Sequence, residues 1–279
     1  MSKLVSANFS RLLRNKFFWI GLALVVGIAA FIAIDFVQAH PMCRETISHE
    51  TKSVCFKYTP VIAAIIALFA GLFVGEEYSN KTIRNKIASG YSKKEIYRAN
   101  WLVCTAVGSL FYLVFFLMIA LPIAPWKELV KYHANVVAEF MRSALVNLFA
   151  ILSLVSIVVF VAMFVKNRII GVVATLGCVL LLFLASELMF EGIRETQFES
   201  VFNEELGFAM EMANPEYNGG IVRGIVQTVM DVQPFGQILQ VNMGRAVDIK
   251  GIVLPMYSCL MMALFYIGGA HLFGKRDLE

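Results

Sequence analysis

Apolar residues are gathered into six long runs: Phe17 to Gln38, Pro60 to Gly75, Trp101 to Ile123, Ser143 to Val165, Ile169 to Ser186 and Gly251 to Gly274. Together they hold one carboxylate, Asp35, and no Lys or Arg. A bilayer core about 30 Å thick takes roughly 20 apolar residues per crossing helix, so each run predicts one span, the second and fifth being short. The pattern predicts an all-α membrane protein read as one transmembrane domain, residues 1–279, with spans at about 17–38, 60–76, 101–123, 143–165, 169–187 and 251–274. The intervening pieces are an N-terminal segment 1–16, a connection 77–100 and a long connection 188–250.

Three of the pieces between runs carry their own pattern. In the first, Val5, Phe9, Leu12 and Leu13 recur at helical spacing among Lys3, Arg11, Arg14 and Lys16, which predicts an amphipathic helix lying in the membrane interface. In the connection 77–100, Ser79 or Asn80 is placed to cap a short helix bearing Ile83 and Ile87. Gly90 stops it, and Ser92-Lys93-Lys94-Glu95 opens a second helix with a capping box. The expectation is two short helices with a sharp turn at Gly90-Tyr91, projecting from the membrane. In the long connection, Gly219-Gly220 breaks the chain, Ile221, Ile225, Val229 and Val232 predict an amphipathic helix, and Pro234 ends it.

Charge gives the spans a direction. Segments 1–16, 76–100, 166–168 and 275–279 hold 14 of the 24 Lys and Arg in 49 positions. Short basic loops stay inside, so both termini are expected in the cytoplasm. Fourteen of the 20 acidic residues fall on the other side, most between Glu187 and Asp248. Trp101 and Trp126 flank the third span as interfacial anchors. Asp35, in the last outer turn of the first span, reads as a snorkelling residue rather than an ion site. Hydrophobic residues make up 59% of the chain and charged residues 16%, which leaves no stretch for a soluble catalytic domain. The first run is long and lacks a clear cleavage site, so it is expected to be a span and not a cleaved signal. The net charge of +4 belongs to the span flanks, so nucleic acid is not an expected partner.

Candidate chemistry is sparse. No G-x-x-x-x-G-K-[ST] occurs, so the chain has no P-loop for nucleotide. His40, His49, His133 and His271 lack metal-ligand spacing, and no metal is expected. Cys43 and Cys55 share the first outer loop and are a candidate disulfide where the surface is oxidising. Ala67, Gly71 and Gly75 form a small-residue stripe at spacing four, suited to close helix approach, within the chain or to another one. Asn147, Ser153, Ser156 and Thr175 are the main polar groups inside the spans.

The connection after the second run resembles the corresponding loop of type-2 ATP-binding-cassette (ABC) exporter permeases, bacterial peptide and antibiotic exporters among them. Glu76, Glu77, Thr82, Ile83, Arg84, Asn85, Gly90, Ser92, Ile96 and Tyr97 carry that resemblance, and Lys81 stands where the family usually has Gly. Pro234-Phe235-Gly236-Gln237, before the last span, is similar to a P-x-G-Q of bacterial members. The resemblance implies the fold of such exporters: an N-terminal elbow helix over 1–16, a cytoplasmic coupling helix within 77–100, and re-entrant helices forming an outer gate within 188–250. It also implies a bacterial cell membrane, a second permease chain, identical or paralogous, and an ABC ATPase dimer that holds the ATP and Mg.

On that resemblance, Gly90, Tyr91, Ser92, Lys93, Lys94 and Glu95 are the candidates for coupling to the ATPase, and Glu76 and Glu77 for contacts with Arg11 or Arg14. Ala67, Gly71, Gly75, Asn147 and Thr175 are candidates for the pathway and permease interface, and Pro234, Phe235, Gly236 and Gln237 for the outer gate. The chain itself is expected to be no enzyme. An apolar pathway suits an amphipathic peptide, toxin or antibiotic; sodium, a lipid or a glycan is the alternative cargo, and a non-transporting membrane sensor or anchor the alternative class. Membrane lipid surrounds it in every case.

Overall fold

The structure, a computed structural model, describes residues 2–39, 55–123, 134–194, 198–203, 208–214, 217, 219–242 and 252–276. Its elements run α1 (Ser2–Arg14), α2 (Lys16–Ala39), α3 (Thr59–Ser79), α4 (Thr82–Ala88), α5 (Lys93–Ile123), α6 (Ala134–Phe164) and α7 (Arg168–Arg194). β1 (Phe198–Asn203), β2 (Phe208–Ala213), α8 (Gly220–Val232), α9 (Pro234–Asn242) and α10 (Val253–Lys275) follow. Six helices among the described residues are long and apolar enough to cross a membrane: α2, α3, α5, α6, α7 and α10. α6 and α3 are the central pair, with 67% and 61% of their apolar windows buried, whereas α7 and α10 bury 22% each and turn most of their surface outward.

Local chemistry sets the joints. Asn15 separates α1 from α2, and its Oδ1 accepts the Phe17 N–H at 2.8 Å, capping the first span. Asn167 does the same for α7, accepting the Ile169 and Ile170 N–H groups at 2.9 and 3.3 Å. The tight Lys166–Arg168 turn thus begins a new helix with satisfied donors.

Two spans start well before their apolar runs. The segment from Lys93 was expected to be a separate short helix; it is instead the first turns of α5, continuous to Ile123. Nothing between Lys93 and Trp101 breaks a helix, and Ile96, Tyr97, Ala99 and Asn100 are buried, so the helix has no reason to stop at the membrane surface. The turn at Gly90-Tyr91 remains, with one short helix, α4, before it. α6 likewise begins at Ala134, outside its predicted start near 143.

The amphipathic α1 buries a different face from the one its apolar spacing suggests. Leu4, Asn8, Leu12 and Asn15 are buried while Leu13 is 59% exposed. Two asparagines take the inward positions because polar partners await them there, leaving Leu13 on the outward face.

One end of the bundle collects α1, the α3–α5 connection, the α6–α7 turn and the end of α10. Tyr78 donates its hydroxyl to the Met163 carbonyl. Arg276 donates to the Phe164 carbonyl at 2.7 Å, and Lys93 donates to the Arg276 carbonyl at 2.6 Å. These contacts satisfy carbonyls at the C-termini of α6 and α10, where cations are favoured. A few turns along, the Tyr97 hydroxyl donates to the Phe265 carbonyl at 2.8 Å. It sits in a notch at Gly269, where an added Cβ would lie 2.1 Å from it.

The opposite end carries the long connection. Part of its acidic half pairs as an antiparallel hairpin, from Phe198 opposite Ala213 to Asn203 opposite Phe208, a feature no alternation in the sequence announces. α8 and α9 then form a helical hairpin whose turn reaches half-way down the bundle: Gln233 Nε2 donates to the Leu182 carbonyl, at the middle of α7, at 2.6 Å.

Candidate functional site

A buried cluster of charged groups forms at the end of α3. Glu77 is fully buried. It ion-pairs with Arg11 of α1 and with Lys86 of α4. Asn100 of α5 donates to its second oxygen at 2.7 Å. Asn8 donates to Asn100 Oδ1 at 2.9 Å and accepts from Lys86 Nζ at 2.9 Å. One carboxylate thus fastens four helices, α1, α3, α4 and α5, and one more side chain, Asn8, closes the ring between Lys86 and Asn100. The Arg11 guanidinium also lies over the Phe73 ring, 3.8 Å from its centroid, so its apolar face is used too. Burial pushes the Lys86 ammonium below its ordinary range, and the Glu77 charge opposes that shift.

Next to this cluster Glu76 accepts from Asn15 Nδ2 at 2.7 Å. Of the two cations proposed for the acids, Arg11 makes the contact, to Glu77; Arg14 is exposed and takes no part in it. Asn8, Lys86 and Asn100 carry no mark in the hydrophobic pattern. The signal for Lys86 is its place between Ile83 and Ile87, on the face α4 turns inward; for Asn8 it is the i, i+4, i+8 row Leu4, Asn8, Leu12.

α4 is held at both ends by backbone geometry. Neither Ser79 nor Asn80 caps it. Ser79 closes α3, Asn80 follows as the C-cap, and Lys81 precedes α4 in the left-handed region, φ 54°. That conformation is natural to Gly and costs a residue with a Cβ. At the other end Gly90, φ 91°, completes a Schellman turn: its N–H bonds the Ile87 carbonyl at 2.9 Å and the Tyr91 N–H bonds the Lys86 carbonyl at 3.1 Å. Ser92 and Glu95 then cap α5 reciprocally, Ser92 N–H to Glu95 Oε2 at 3.0 Å and Glu95 N–H to Ser92 Oγ at 3.3 Å. Gly90, Ser92 and Lys94 are exposed, Tyr91, Lys93 and Glu95 half-buried. Ala88 to Lys94 therefore present a firm turn outside the bundle.

The small-residue stripe is used inside the chain. A Cβ at Gly71 would lie 3.0 Å from the Val172 Cα, and one at Gly75 2.9 Å from the Arg168 Cα. The Thr175 hydroxyl donates to the Ala67 carbonyl at 3.1 Å. Ala67, Gly71 and Gly75 thus face α7 of the same chain, the close approach within the chain that their spacing allows: the absence of side chains lets α7 sit against the α3 backbone. Asn147 is buried on α6, its Nδ2 donating to the Ser143 carbonyl at 2.9 Å, while its Oδ1 has no partner among the described residues. Ser153 and Ser156 bond carbonyls of their own helix.

Pro234, Phe235, Gly236 and Gln237 form the first turn of α9 and are all buried. Pro234 does end α8, and it also starts α9, since proline suits the first helical turn. Gly236 lets the end of α8 approach: a Cβ there would lie 2.3 Å from the Met230 carbonyl oxygen. Gln237 donates to the Asp231 and Leu254 carbonyls at 2.7 and 3.1 Å and accepts from Ser258 at 2.7 Å. Phe235 packs edge-on against Phe183, centroids 5.6 Å apart. The four residues bolt the α8–α9 turn between α7 and α10. Cys55 is buried; Cys43, and with it the candidate disulfide, lies outside the described residues, as does Trp126.

Six membrane-length helices, with all the described basic connections at one end, define a multi-pass membrane protein. The model of the ABC-2 family transporter proteins matches residues 4–183, and the chain belongs to that family, whose members are membrane permease components of ABC transporters and generally work with a separate ABC ATPase subunit. Comparison with curated proteins returns no match.

Proposed function

We propose that this chain is the permease subunit of an ATP-driven ABC exporter, forming a pathway for an amphipathic peptide, toxin or antibiotic with a second permease chain, identical or paralogous. An ABC ATPase dimer, binding ATP and Mg, drives it from the cytoplasmic side of a bacterial cell membrane, where both termini lie. The observation that carries this reading is the turn from α4 into α5. It is exposed and basic, closed by a Schellman turn and a capping box, and tied through Lys86 and Glu77 to α1, α3 and α5. A push on that turn is delivered to spans two and three directly, and through α1 and Asn15 to the start of span one.

In this reading α1 is the elbow helix and α4, with Gly90 to Glu95, the coupling element. The α8–α9 hairpin is re-entrant and gates the outer end through Pro234 to Gln237. Asn147, Thr175 and the apolar spans border the path, which favours amphipathic cargo over ions.

The experiment is reconstitution of the chain in vesicles with its ATPase. Basal ATP hydrolysis is expected to rise when the permease is present, and deletion of Gly90-Tyr91 to abolish that rise while both proteins still fold. Equal stimulation by the deletion variant would sink the coupling assignment. A permease that binds no ATPase at all would favour a non-transporting anchor. Uptake of a labelled peptide panel, with sodium, lipid and glycan as competitors, reads the cargo.

A further inference from the structure

Two cations from different helices meet on one ring at the basic end of the bundle. Lys16 Nζ, at the start of α2, lies 5.4 Å from the centroid of the Phe17 ring. The Arg168 guanidinium, at the start of α7, lies 5.1 Å from the same centroid. Neither side chain makes a hydrogen bond or an ion pair among the described residues. Glu76, the acid next to Gly75 on α3, accepts from Asn15 instead. Like charges brought together repel, yet Arg168 is held in place. A Cβ at Gly75 would lie 2.9 Å from the Arg168 Cγ, so the arginine stem runs against bare α3 backbone and the guanidinium reaches across to α2.

We propose that Lys16 and Arg168 together bind the phosphate of an anionic phospholipid from the leaflet at this end. Level, charge and shape agree on that occupant. Both residues open membrane-length helices. Trp19, 54% exposed one turn further along α2, marks the interfacial zone where headgroups lie. Basic sites between spans at this level take anionic headgroups, and a guanidinium can grip a phosphate through two parallel hydrogen bonds. The floor for an acyl chain is α3. It meets α2 through Ile65 and Phe69, opposite Gly21 and Phe18, and α7 through Gly71 and Gly75. Leu68 and Leu72, one turn apart, fall between those two faces and stay half-buried. Ile20 and Leu24, on the Phe17 stripe of α2, are exposed. An apolar track thus leads from the two cations toward the middle of the membrane.

The test uses the full chain in nanodiscs of phosphatidylcholine with a minor share of phosphatidylglycerol. The protein is released into mild detergent and weighed intact by native mass spectrometry. Phosphatidylglycerol with a diazirine in its acyl chain is cross-linked in parallel, and glycerol phosphate in excess is the soluble competitor. The variants are Lys16→Gln, Arg168→Gln and the two combined. Arg84→Gln with Lys275→Gln, which removes two exposed cations at the same end, is the charge-matched control.

The wild type and the control are expected to retain one phosphatidylglycerol per chain in preference to phosphatidylcholine. Occupancy is expected to fall about fivefold for each of the two cations removed. Glycerol phosphate should leave it unchanged, and label should fall on the peptides bearing residues 17–24 and 68–72. Circular dichroism checks that the variants keep their helix content; if Arg168→Gln does not, Lys16→Gln, altered at an exposed position, and the wild-type label decide. Undiminished phosphatidylglycerol in a folded double variant, an equal loss in the control, displacement by glycerol phosphate, or label confined to other helices would overturn the proposal. The two cations would then serve only to tie α2 to α7 through Phe17.

Discussion

Glu77 is one buried carboxylate serving two cations and an asparagine amide. Replacing it by Ala strands Arg11 and Lys86 at a half-buried site, and breaking a buried ion pair from one side costs about 3–5 kcal/mol. Glu77→Ala is therefore expected to lower the thermal midpoint of the detergent-purified protein sharply. Glu76→Ala, which removes one hydrogen bond to Asn15, is expected to cost about 1 kcal/mol. Lys81 is the opposite case: its left-handed backbone, φ 54°, carries a strain of roughly 1–2 kcal/mol relative to Gly. Lys81→Gly should raise the midpoint, reduced by the extra chain entropy that Gly brings to the unfolded state. The sequence marks this position as a departure from the family pattern. The structure adds the physical reason that glycine suits it.

At the scale of elements, the contacts of α3 and α9 are decided by small residues. Gly71→Val places a branched side chain against the Val172 backbone, which cannot retreat without moving α7. A loss of about 1–3 kcal/mol follows from such overpacking. Gly27→Ala on α2, with nothing within 4 Å of its new Cβ, is expected to leave the packing intact and to raise the unfolding midpoint slightly, since Ala loses less chain entropy than Gly on folding.

The sequence makes the existence of each span legible, because twenty apolar residues have one stable fate in a bilayer. It makes the capping box at Ser92 and the stop at Gly90 legible for the same local reason. The partner of a small-residue stripe is a different matter. Spacing says that something comes close to Ala67, Gly71 and Gly75, and only three-dimensional packing says that it is α7. The merger of Ser92's helix with the third span is equally hidden, since a helix pattern shows where a helix starts better than where a membrane surface cuts it. The burial of Pro234–Gln237 rests on Asp231, Leu254 and Ser258, contacts no local pattern reveals.

For the whole molecule, the basic connections and the ends of α1 and α10 share one face, so the charge count and the packing describe the same polarity. Reporter fusions at the two termini are expected to report the same compartment, and insertions within 40–54 or 124–133 the opposite one. A terminus on each side would break the six-span reading. The central pair α3 and α6 and the peripheral α7 and α10 divide the bundle into a dense interior and an outward apolar surface. That outward surface is uniformly apolar, and it is why composition alone identifies the class but not the cargo.

The notch at Gly269 has a consequence for how this chain drifts over generations. The Tyr97 hydroxyl fills the volume that a methyl group on Gly269 would take, so Gly269 is not free to enlarge while the tyrosine stays. Across related sequences the two positions should vary reciprocally in size, a side chain larger than hydrogen at the notch being accompanied by one shorter than tyrosine opposite it. A relative that keeps the tyrosine and the same helix spacing, yet carries alanine or serine at the notch, would show that the last span tolerates a displacement this packing does not allow.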